Sequence, residues 1–164
     1  MHYIDTSVLI AYLVPEKYSV QADRALRDPA HRPLALSTWT ETELMSAFGI
    51  KCRTGQIEES DRRKALEQYE RLRDRFVHLN VLDDDYRNAA RLLQNWRLGL
   101  RAGDALHLAV SHRHACVILS LDERLVTAGQ QLGIAAVCLR SVRSEGSSPC
   151  LNPETIPPQA QPDC

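Results

Sequence analysis

Short apolar runs alternate with longer amphipathic stretches between Met1 and Leu139, and this alternation constrains the fold more than any other feature. His2–Ile4 reads as a buried strand ending at Asp5, and Asp5-Thr6-Ser7 can cap the apolar helix Val8–Leu13, which Pro15 stops. A second helix covers Tyr18–Arg27 and ends before Asp28-Pro29, since the residue ahead of proline is pushed from the helical region. Leu34–Leu36 is the next strand. Ser37 or Thr38 then opens a helix with Leu44, Ala47 and Phe48 on one side, stopped by Gly55. Ala65, Tyr69, Leu72 and Phe76 follow helical spacing, Val77–Leu82 alternates like a strand, and Tyr86, Ala90, Leu93 and Arg97 return to a helical period. Gly103-Asp104 opens the apolar helix Ala105–Ser111, followed by strand Val117–Leu119, helix Asp122–Ala128 and strand Ile134–Leu139. Strands that alternate with helices imply a parallel sheet covered on both faces, an α/β three-layer domain.

The character changes after this. Residues 141–164 carry Gly, Ser and five prolines with almost no apolar period, and read as a flexible proline-rich tail behind a domain spanning 1–140. The five cysteines are scattered without CxxC spacing, which speaks against a disulfide framework or structural zinc and for reduced thiols in the cytoplasm. No apolar run approaches the roughly 18 residues of a membrane span, and Met1–Val14 lacks a basic leader, so no membrane association is expected.

In open parallel sheets ligands bind beyond the carboxyl ends of strands, where the winding direction reverses. Asp5 and Asp122 lie at such ends, Asp104 starts the helix that feeds the later strand, and Glu43 sits about one turn inside an earlier helix. Four acids from separated segments can therefore converge in one crevice. Two carboxylates ~4 Å apart repel by about 1 kcal/mol in water and about 4 kcal/mol at an effective dielectric near 20, so a proton or cation must relieve them. Oxygen ligands without an accompanying His or Cys favour Mg²⁺ or Mn²⁺ over zinc. Each acid also has a plain structural reading. Asp5, Asp104 and Asp122 suit helix N-caps, and Glu43 suits a surface helix position beside Glu41.

The chain resembles the PIN-domain ribonucleases of the VapC toxin type. The likeness rests on Tyr3-Ile4-Asp5-Thr6-Ser7-Val8-Leu9, Leu36-Ser37 with Glu43-Leu44, Leu100-Arg101-Ala102-Gly103-Asp104-Ala105-Leu106-His107-Leu108-Ala109, and Leu119-Ser120-Leu121-Asp122-Glu123-Arg124-Leu125. It extends over roughly 1–140, with serine at 120 where threonine is common. The resemblance implies a sheet ordered 3-2-1-4-5 and Mg²⁺-dependent hydrolysis of RNA phosphodiester bonds, with Mn²⁺ as a substitute. It makes Asp5, Glu43, Asp104 and Asp122 the catalytic set, with Asp5 and Asp104 as direct metal ligands and Glu43 or Asp122 acting through water. Thr6 and Ser120 would orient acids or substrate. The implied partners are an RNA substrate, a cognate antitoxin protein and a second copy in a homodimer.

Net charge is −1, yet Arg87, Arg91, Arg97, Arg101 and Arg113 face the single acid Asp104 between positions 87 and 113. This is either a basic rim for a polyanion, with Arg101 touching phosphate, or a solvated helix face. His107 can face the site, but the commoner role of such a histidine is internal packing with one satisfied hydrogen bond. Trp39 and Trp96 can stack on bases, with burial as the default. A phospho-aspartyl enzyme would want a second acid at position 7 and a later lysine, but residue 7 is Ser and no lysine follows Lys64. A catalytically weak PIN-like RNA- or protein-binding module is the remaining alternative.

Overall fold

The computed structural model describes residues 1–141; the proline-rich segment beyond lies outside the described residues. Five strands form one parallel sheet: β1 (His2–Ile4), β2 (Leu34–Ser37), β3 (Val77–Leu79), β4 (Val117–Ser120) and β5 (Ala136–Cys138). Their order is 3-2-1-4-5. The chain thus winds outward from β1 through β2 to β3, then crosses back to place β4 on the other side of β1. The switch point falls between β1 and β4, whose register pairs Tyr3 with Ile118 and Ile4 with Leu119. That register brings Asp5 and Ser120 together at the carboxyl edge.

The helices are α1 (Thr6–Leu13), α2 (Ser19–Arg27), α3 (Thr38–Arg53), α4 (Glu59–Leu72), α5 (Asp83–Leu93), α6 (Ala102–Arg113) and α7 (Glu123–Gln131). Alternation along β1 sends its side chains to opposite faces. Ile4 joins Val8, Leu9, Leu36, Leu44, Phe48 and Tyr69 in one core. Tyr3 joins Leu108, Val110, Ile118 and Leu125 in the other. This is the three-layer arrangement, with α6 buried through Ala105–Ser111 as its density of apolar residues requires.

Several boundaries differ from the sequence-based expectation, each for a local reason. Strand β3 ends at Leu79 because Leu82 is the N-cap of α5, its N–H donated to Asp85 Oδ2 at 2.8 Å. Phe76 is buried but lies past α4, after the 3₁₀ turn Arg73–Arg75. Trp96, expected inside, is 75% exposed on the 3₁₀ turn Trp96–Leu98, with the Arg97 guanidinium 4.8 Å from its ring centroid. Among the described residues, no helix is long and apolar enough to cross a membrane.

Candidate metal and nuclease site

Asp5 occupies the N-cap of α1 in extended conformation, but its carboxylate makes no capping bond. Instead Asp5 Oδ2 accepts from the hydroxyls of Ser7 (2.5 Å) and Ser120 (2.7 Å). Those hydroxyls are themselves held by the backbone: the Leu121 N–H donates to Ser7 Oγ at 3.0 Å and the Asp122 N–H to Ser120 Oγ at 2.8 Å. The loops after β1 and β4 are thereby stitched around one buried carboxylate. The capping reading of Asp5 fails, since Oδ2 is held by the two hydroxyls and Oδ1 faces His107.

Glu43 projects from α3, whose start is fixed by Ser37 and Thr40, each side chain accepting from the other's N–H. Glu43 Oε2 lies 2.8 Å from His107 Nε2, and the same nitrogen lies 3.4 Å from Asp5 Oδ1 and from Thr6 Oγ1. The other ring nitrogen of His107 is 2.8 Å from the Tyr3 hydroxyl, which also contacts Ser37 Oγ at 2.6 Å. His107 is indeed internal, but both of its nitrogens are engaged and one faces the acids. Donor atoms of Asp5, Glu43 and His107 all lie within 4.8 Å of one another.

Electrostatics follow from this grouping. Burial alone lowers the His107 pKa, but Tyr3, the hydrogen bond to Glu43 and the charges of Asp5 and Glu43 outweigh it, pushing it up to about 10. Burial raises the Glu43 pKa, while the His107 hydrogen bond and charge and a hydrogen bond from Thr6 bring it below the ordinary carboxylate range. Asp104 moves the other way. Burial raises it, the Arg101 N–H lowers it, and the negative charges of Asp122 and Asp5 raise it again. Asp104 therefore senses Asp5 and Asp122 across the site, although Asp104 and Asp122 stand outside the tight group.

Asp104 is not the N-cap of α6. The helix starts at Ala102, and Asp104 Oδ2 reaches back from the third helical position to the Arg101 N–H at 2.9 Å. Asp122 is an N-cap, accepting from the N–H groups of Arg124 (2.8 Å) and Leu125 (3.4 Å). Arg101 is exposed at the head of α6. Gly103 lets α6 approach α3 closely. A Cβ there would sit 2.7 Å from Glu43 Oε1 and 3.3 Å from Trp39 Cζ2. Beside it, the Trp39 indole N–H is buried and has no partner among the described residues.

The donor set fits a divalent cation: a buried carboxylate, Asp5, and a half-buried one, Glu43, meet where positive charge relieves them. It departs from the all-oxygen set expected from sequence, since an imidazole nitrogen belongs to the group. That nitrogen ligates only after releasing its proton, and with it the site suits Mn²⁺ as well as Mg²⁺. Sequence reasoning left out Ser7 as a site residue, although Asp-x-Ser at a strand end was the available signal. Tyr3, concealed in an apolar strand, gave none.

Three comparisons with known proteins bear on this geometry. FitAcB from Neisseria gonorrhoeae superposes with a TM-score of 0.67 at 16% identity, covering 87% of this chain and 100% of that one. VapC20 of Mycobacterium tuberculosis, a sarcin–ricin-loop-cleaving toxin, gives 0.61 at 18% identity, covering 79% and 95%. VapBC-5 of the same organism, from the VapBC family of toxin–antitoxin systems, gives 0.57 at 22% identity, covering 84% and 97%. At these identities the likeness is one of fold. No curated protein matches the sequence. The PIN domain family model matches residues 2–130, so the chain belongs to the PIN domain family.

Proposed function

We propose that this protein is a metal-dependent endoribonuclease that hydrolyses RNA phosphodiester bonds. The observation that carries the reading is the meeting of Asp5, Glu43 and His107 at the β1/β4 switch point, with Asp104 and Asp122 electrostatically linked to them. Asp5, held by two hydroxyls, and Asp104 would be the direct ligands of the metal, with Glu43 or Asp122 acting through water. A bound Mg²⁺ or Mn²⁺ supplies charge for a phosphoryl oxygen and a more acidic water. The chain's own part is positional. Ser7 and Ser120 fix Asp5, Thr6 and His107 fix Glu43, and Arg101 is offered to substrate phosphate.

A toxin role in a toxin–antitoxin pair is supported by the fold shared with VapC20 and VapBC-5. In that setting the protein is cytoplasmic, pairs as a homodimer and is inhibited by a cognate antitoxin. The test is incubation of purified protein with total RNA, with and without Mg²⁺ or Mn²⁺, followed by end mapping. Metal-dependent cuts that Asp5→Asn removes are expected. Full metal-dependent cleavage by Asp5→Asn would overturn the reading. Growth arrest on expression, relieved by a small co-encoded protein, tests the toxin role, and active protein without arrest counts against it.

A further inference from the structure

A cleft of about 740 Å³ adjoins the acids, within the size range of sites that enclose small ligands. It shares two residues with the site: Ser7, whose hydroxyl holds Asp5, and Asp122. The same lining brings in Lys17, Lys51, Arg140 and Tyr18 from the α1–α2 connection, α3 and the turn after β5. Lys51 is already paired with Glu16 at 2.5 Å. Lys17 and Arg140 are held differently, each with its charge 5.1 Å from the centroid of the Tyr18 ring. A cation over a ring is stabilised through its charge and keeps its N–H donors available. Arg140 also lies 3.6 Å from Glu123, which occupies only part of its five-donor fork.

Two cations anchored on one aromatic ring, in a cleft that reaches the candidate site through Ser7 and Asp122, form a phosphate-recognition arrangement. The apolar wall, including Ile10 and Leu121, gives a base or ribose a surface to rest on. We propose that this cleft is a phosphate-binding subsite for the RNA strand beside the scissile bond. Lys17 and Arg140 donate to phosphate oxygens, and Tyr18 holds both cations in place. This assignment rests on the RNA-cutting reading above, and it adds substrate contacts to the one offered by Arg101 in the arginine-rich 87–113 segment.

The test is fluorescence anisotropy with the full chain and a labelled twelve-nucleotide oligouridylate in EDTA, where nothing is cut, over a salt series. Wild type and the double variant Lys17→Ala/Arg140→Ala are compared, with circular dichroism to verify the fold. The double variant is expected to bind about tenfold more weakly. Its log–log salt slope should be smaller by about 1.4, roughly 0.7 for each single-strand phosphate that is no longer neutralised. Unchanged affinity and slope would overturn the subsite. So would a polyglutamate peptide that binds wild type, fails to bind the double variant and leaves oligouridylate binding untouched, which would assign the cleft to an acidic protein segment. The two readings fail separately. If oligouridylate binding falls as expected but wild type cuts no RNA with Mg²⁺ or Mn²⁺, the nuclease reading fails and the subsite stands. If RNA is cut and the double variant binds and cuts like wild type, the subsite fails and the nuclease reading stands.

Discussion

His107 Nε2 lies 2.8 Å from Glu43 Oε2 and 3.4 Å from Asp5 Oδ1, so one fully buried imidazole joins carboxylates from two separate segments. Without metal, its proton supplies the positive charge that the acids require. A cation that recruits His107 must therefore displace a proton from it.

The pH dependence of the metal-free protein follows from these shifts. His107 has a folded pKa raised from 6.5 to about 10, so its contribution is complete below about 6.5 and is lost as pH rises through about 10. Glu43 is depressed below its ordinary 4.5, so its contribution is complete above that value and is lost as pH falls through the folded pKa. In EDTA the urea midpoint should peak between about 4.5 and 6.5 and decline toward pH 10. A midpoint that climbs steadily from pH 6.5 to 10 would show that His107 is not the counter-charge.

Replacing His107 by leucine keeps the volume but removes the cation. Breaking a buried ion pair from one side costs about 3–5 kcal/mol; Asp5 stays buried but the half-buried Glu43 can turn to water, which trims the cost to about 2–4 kcal/mol. We expect His107→Leu to lose stability on that scale in EDTA, and to regain part of it when Mn²⁺ is added. Equal losses with and without Mn²⁺, measured by urea unfolding, would mean that packing against Tyr3 is the whole of its role.

Gly103→Ala perturbs the site through one carboxylate. Alanine suits a helix better than glycine by up to about 1 kcal/mol, which offsets part of the cost of the close contacts its Cβ makes. Its Cβ would nevertheless stand 2.7 Å from Glu43 Oε1, closer than real contacts allow, and the flexible carboxylate must move. We expect Mn²⁺ affinity by calorimetry to drop about tenfold or more, roughly 1.4 kcal/mol, in a variant that circular dichroism shows to be folded. Unaltered Mn²⁺ affinity would remove Glu43 from the metal site.

The layers of the fold were legible because short apolar runs such as His2–Ile4 alternate with longer segments such as the densely apolar Ala105–Ser111. The acids were legible as a group through their places at strand and helix ends, and through the ordered resemblance. What escaped reading were the partners of each carboxylate. Asp5, Asp104 and Asp122 all look like N-caps in sequence, yet only Asp122 is one whose side chain caps. For Asp5 the difference arises from a contact spanning more than a hundred positions, to Ser120, and for Asp104 from a helix that starts two residues earlier, at Ala102. Trp96 misled for a related reason: aromatic mass argues for burial, but the short turn that carries it leaves the ring exposed, with the Arg97 guanidinium over it.

Asp85 is a buried acid that should separate from the site in experiment. It is wholly inaccessible and accepts from Arg113 Nε at 2.7 Å, Arg113 Nη2 at 2.9 Å and the Leu82 N–H at 2.8 Å. These bonds fasten the start of α5 to the end of α6. Arg113 is partly exposed and can turn to water once its partner is gone, which trims the cost of a broken buried pair to about 2–4 kcal/mol. Asp85→Ala should therefore lower the urea midpoint strongly. At a temperature where the variant remains folded, its metal-dependent cleavage and Mn²⁺ affinity should stay within about twofold of wild type, less than about 0.5 kcal/mol. A variant that stays folded but loses cleavage would extend the functional site to the α5–α6 junction, at the far end of the helix that carries Asp104 and His107.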